Sequence, residues 1–131
     1  MIKFFTKYKI IFYSSNFILI LLYLFPGSLI GCFLYNDCKL QPQITRDYII
    51  SSNHLYAFAI LSLIGFLTYK NSKKIRYLSA YLITVSIFLE IFHNFIPERS
   101  FEYSDLFGNL AGVIIVIIVF NLLKIYENYK I

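Results

Sequence analysis

Six side chains in this sequence combine acid, base and cation character at spacings that helices would bring together: His54, Glu90, His93, Arg99, Asp105 and Asn109. Glu90, His93 and Asn94 are spaced to share one helical face, and Asp105 and Asn109 share a face on a later segment. Carboxylates offer acceptors, a guanidinium offers a forked anion contact, and imidazoles can give or take protons. Such a set can hold a polar headgroup, or exchange protons with a bound substrate. No Ser-His-Asp arrangement and no metal-ligand spacing accompanies it, so no catalytic residue is assigned and neither a cofactor nor a metal is expected.

The elements that must carry these groups follow from composition. The 131 residues are 59% hydrophobic, 20% aromatic and only 15% charged, with a mean hydropathy of +0.68. A soluble domain is about one quarter charged, so this apolar excess excludes a water-exposed fold and points to a bilayer. Four apolar stretches approach the length of a membrane crossing, at about 10–34, 49–69, 77–96 and 106–125. Backbone groups in lipid need internal partners, so the stretches are read as helices. The expected fold is all-α, an integral membrane four-helix bundle, with residues 1–131 forming one transmembrane domain.

Charge placement sets the expected orientation. Lys3, Lys7, Lys9, Lys70, Lys73, Lys74, Arg76, Lys124 and Lys130 fall on one side, against Lys39, Arg46 and Arg99 on the other. Basic residues collect on the cytoplasmic side, so both termini are expected there. The net charge of +5 then reflects topology and contact with anionic lipids, and no nucleic-acid partner is expected. Tyr8, Tyr35, Tyr48, Tyr69, Tyr77, Tyr103 and Tyr126 sit at expected helix ends, where an amphipathic ring prefers the interface.

On this layout Glu90 lies six residues inside the third stretch, roughly 9 Å below the outer interface. An unpaired carboxylate there costs on the order of 1–3 kcal/mol, so it should face the bundle interior. His54, Arg99 and Asp105 fall at a similar depth from other elements. Arg99 can pair with Glu90 or Asp105, or bind an anionic headgroup. Plainer roles stand beside these: a polar stripe as helix glue, Asp105 as a helix cap, His54 as a headgroup neighbour. Gly108 and Gly112 form a G-x-x-x-G face for close helix approach. Leu29-Ile30-Gly31-Cys32 reads like a lipobox, and Cys32 with Cys38 also permits a disulfide outside the cytoplasm. Spacing alone does not choose between lipidation and pairing.

The run Glu90-x-x-His93-x-Phe95-x-Pro97-x-Arg99, then Asp105-x-x-x-Asn109-x-x-Gly112, resembles the signature of VanZ-like membrane proteins. Asn53-His54-Leu55-Tyr56-Ala57-Phe58 is similar to the family's Asp-Lys-x-x-His segment, and Leu24-Phe25-Pro26-Gly27-Ser28 to the end of its first helix. His93 stands where the family has Gln, and Ile50-Ser51 where it has Asp-Lys. The family takes its name from a teicoplanin-resistance protein, so the resemblance implies a bacterial cytoplasmic-membrane location and a cell-envelope role. The expected partners are membrane lipids with a lipid-linked cell-wall precursor or a glycopeptide. An intramembrane enzyme acting on a lipid-linked substrate and a small assembly subunit are the alternatives.

Overall fold

The structure, a computed structural model, describes the backbone of residues 2–131 and side chains from Tyr8 onward. Lys3 and Lys7, counted above for topology, have side chains outside the described residues. The elements are α1 (Ile2–Leu24), α2 (Leu29–Tyr35), α3 (Ser52–Tyr69), α4 (Ile75–Phe92), a 3-10 turn (His93–Phe95) and α5 (Tyr103–Tyr129). Among the described residues there is no strand.

The first apolar stretch is not one helix. Pro26 cannot donate to the helical ladder and disfavours helical backbone at the residue before it. Gly27 then takes a φ of +87°, and a Cβ there would lie 2.5 Å from the Cys38 carbonyl oxygen. Ser28 restarts the helix as an N-cap, its Oγ accepting from the Gly31 N–H at 3.0 Å. The result is two helices bent by 84°. A disulfide joins Cys32 to Cys38 just beyond α2.

The remaining boundaries also move. The second helix starts at Ser52 rather than 49, and the third tightens into a 3-10 turn after Phe92. The fourth gains a turn at its start and one at its end, running from Tyr103 to Tyr129. Two helical segments, Ile75–Phe95 and Tyr103–Tyr129, are long and apolar enough to cross a membrane. The bent pair Tyr8–Leu24 and Leu29–Tyr35 makes a third if it is one broken span. The expected second span, α3, is not in that set: its 18 residues open on Ser52-Asn53-His54.

The four long helices share one core. Phe12, Leu19 and Tyr23 of α1 meet Phe58, Leu61 and Phe66 of α3, with Leu78, Leu82 and Leu89 of α4 and Val113 of α5. Helix α3 packs against all three others, most extensively against α5. There the G-x-x-x-G face does what its spacing predicts. A Cβ on Gly112 would lie 2.5 Å from the Leu55 carbonyl and 2.8 Å from the Ala59 nitrogen, both α3 backbone. Facing outward, α5 exposes Ile114, Ile115, Ile118, Val119, Leu122 and Leu123, a surface suited to lipid tails.

Candidate functional site

The end of the bundle opposite Lys70–Arg76 gathers the chemistry. Asn109, wholly buried on α5, is its hub. Its Nδ2 donates to the Ser86 carbonyl of α4 at 3.1 Å, which fixes the amide's orientation. Its Oδ1 therefore accepts, from the Tyr23 hydroxyl of α1 at 2.8 Å and from His54 Nδ1 of α3 at 3.0 Å. One side chain thus ties four helices.

The two histidines follow from this network. With Nδ1 protonated toward Asn109, His54 turns Nε2 toward Asp105 Oδ2, 3.5 Å away. His93 donates from Nε2 to the Tyr23 carbonyl at 3.0 Å and presents Nδ1 to Glu90 Oε2 at 3.2 Å. The Tyr23 ring stacks on His93, with centroids 5.7 Å apart, and meets the His54 ring edge-on. Glu90 is fully buried, and its Oε1 accepts from the Glu102 N–H at 3.0 Å. It thereby caps α5, whose own N-cap Glu102 makes no side-chain cap bond. Oε2 has no hydrogen-bond partner of acceptable geometry, despite its closeness to His93.

Arg99 is positioned by a tight turn. Pro97 and Glu98 occupy its corner, Glu98 with a φ of +63°, and the Arg99 N–H bonds the Ile96 carbonyl at 3.2 Å. The guanidinium then reaches the end of α1. Nε donates to the Phe25 carbonyl at 3.0 Å, and Nη2 to those of Leu22 at 3.0 Å and Gly27 at 2.6 Å. These carbonyls were freed by the Pro26 break, and a cation at a helix C-terminus also complements the dipole. Burial pushes the Arg99 guanidinium below its ordinary value, while nearby acidic groups, Glu90 and Asp105 among them, oppose the drop.

Two cavities adjoin the cluster. A polar one of about 230 Å³ is bordered by Lys39, His93, Glu98, Arg99, Glu102 and Asp105. An apolar one of about 410 Å³ lies between the loop after α2 and α3, with Ile30, Leu34, Ile44, Ala57 and Ile60 on its walls. Ser28, Gln41 and Arg99 line both.

Five of the six expected residues meet directly. His54, Glu90, His93 and Asn109 are buried together, and Asp105, with 21% of its side chain exposed, joins through His54. Arg99 borders the same cavity but, among the described residues, forms no ion pair with Glu90 or Asp105. Asp105 lies in the first turn of α5 rather than at its cap. Asn94 is exposed, carried off the Glu90 face by the 3-10 turn. Sequence reasoning missed Tyr23, because a tyrosine within an apolar run does not by itself say whether it faces lipid or the interior. It also missed Lys39 as a cavity residue, because a loop lysine carries no periodicity. Comparison of this chain with family models, with curated proteins and with solved structures finds no match.

Proposed function

We propose that this chain is a VanZ-like protein of the bacterial cytoplasmic membrane, crossing it four times with both termini inside. Its outward pocket engages the headgroup of a lipid-linked envelope component. The observation that carries the reading is the junction of the two cavities at Ser28, Gln41 and Arg99. An amphiphile needs a polar recess for its head beside an apolar slot for its chain. Helix α3 serves as the fourth crossing because its polar start has partners away from lipid: His54, 7% exposed, faces the cluster, and Ser52 and Asn53 bond the preceding loop. Lys39 and Arg99 supply positive charge to an anionic head. Asn109 favours the helix-glue reading, as do Arg99, Glu90 and His93 in part, since their contacts are taken up by the protein itself.

The test is binding of a fluorescent polyprenyl phosphate to the protein in lipid nanodiscs. Replacing Lys39 by Ala should weaken binding about tenfold, the loss of one charged contact. In cells, Asp105→Ala should abolish envelope protection against a teicoplanin-class glycopeptide at unchanged protein level. Unaltered affinity in the Lys39 variant together with unaltered protection in Asp105→Ala would sink the headgroup reading. An Asp105→Ala phenotype that merely tracks loss of protein would mean that residue is structural.

A further inference from the structure

His54 presents a lone pair to a carboxylate with no proton assigned between them. Its Nδ1 carries the N–H, because Asn109 Oδ1 opposite can only accept. Nε2 is therefore unprotonated in the neutral ring, and it faces Asp105 Oδ2 at 3.5 Å. Two acceptors held face to face call for a cation. A second observation points to the same spot. Glu90 Oε2, on a side chain of 0% exposure, has no hydrogen-bond partner and lies on the Nδ1 side of the same ring, 4.0 Å from His54 Nδ1 and 3.2 Å from His93 Nδ1. One ligand atom each from His54, Glu90 and Asp105 falls within 4.8 Å of the others.

We propose that His54, Glu90 and Asp105 bind a divalent transition-metal ion, with Zn²⁺ as its reference. One imidazole nitrogen and two carboxylate oxygens are a borderline-hard donor set suited to Zn²⁺. Two carboxylates neutralise the dication, which lowers the cost of placing it in a poorly solvated interior. Tetrahedral ligands around zinc stand about 3.3 Å apart, so the site must contract. Asp105, the least buried of the three, has the freedom to close it. The bond from His54 Nδ1 to Asn109 is the outer support that metal-bound histidines use to hold tautomer and ring angle. His93, whose Nε2 carries the proton given to the Tyr23 carbonyl, turns an unprotonated Nδ1 to Glu90 Oε2 at 3.2 Å, a further acceptor facing the same carboxylate. Three protein ligands leave a position open, and Asp105 borders the polar cavity on that side. The site does not depend on what occupies the cavity.

The experiment uses the full chain, purified in detergent without a histidine tag, stripped with chelator and re-equilibrated with Zn²⁺ alone. Metal content is measured by mass spectrometry, and affinity by competition with a chromophoric chelator. Wild type should hold one Zn²⁺ per chain and melt higher with the metal than without it. Asp105→Asn and His54→Gln should each weaken binding by 10-fold or more, and Glu127→Gln, at the far end of α5, should not. Should Asp105→Asn melt as an unfolded chain, His54→Gln decides. Sub-stoichiometric metal in the wild type, or equal affinity in the folded variants, overturns the proposal.

Discussion

Asn109 shows how much one buried polar side chain can organise. Its amide meets Tyr23, His54 and Ser86, from three other helices. Asn109→Ala would leave a hydroxyl, an imidazole N–H and a carbonyl without their partner in the interior. A loss of roughly 2–4 kcal/mol is expected, read as a lower melting temperature in detergent. Arg99 makes a comparable point with charge. Lysine has a single point-like ammonium and cannot span the Leu22, Phe25 and Gly27 carbonyls at once. Arg99→Lys should therefore lower stability by about 1–3 kcal/mol while keeping the charge. Glu90 could be found from the chain because a carboxylate in an apolar run is costly unless it has a purpose. Tyr23 could not, since a tyrosine in such a run reads equally well as lipid-facing or buried.

At the scale of elements, the G-x-x-x-G spacing identified a contact face but not its partner. The structure supplies α3, whose Ser51, His54 and Leu55 crowd Gly108 while Leu55, Phe58 and Ala59 crowd Gly112. Gly112→Ala would press a methyl against α3 backbone that cannot rotate away. The helices must then part, at a cost of roughly 1–3 kcal/mol by thermal melting. His54 and Asp105 sit on the two helices concerned, so their 3.5 Å approach should widen as well. The break in the first helix was less accessible to sequence reasoning. A proline in an apolar run either kinks or ends a helix, according to whether a donor reaches the carbonyls it frees. Here that donor is Arg99, some 70 residues away: 74 from Phe25 and 77 from Leu22 in sequence separation.

For the whole molecule, the all-helical character and the apolar exterior follow from composition, whereas the number of crossings does not. Helix α3 buries His54 of its polar start and ties the half-buried Ser52 and Asn53 to the preceding loop, so its average hydropathy does not by itself decide whether it crosses. Cysteine labelling decides the matter, because both native cysteines are bonded to each other and should not react. With four crossings, Tyr48→Cys should be labelled by an impermeant maleimide on intact cells, and Asn71→Cys only after permeabilisation. Labelling of both without permeabilisation would overturn the crossing by α3, and labelling of Asn71→Cys alone would overturn the charge-based orientation. The right-angled joint between α1 and α2 has a mechanical consequence in that setting. With α1 upright in the bilayer, the 84° bend lays α2 along the membrane plane. Leu29, Ile30, Phe33 and Leu34 are exposed on this short helix, so in that setting it would float at the water–hydrocarbon boundary. Tethered at its middle by Cys32–Cys38 and preceded by Gly27 at a φ of +87°, it would in that setting govern how deep the cavity mouth rides in the leaflet. A bilayer of different thickness would then tilt the long helices before it moved that mouth.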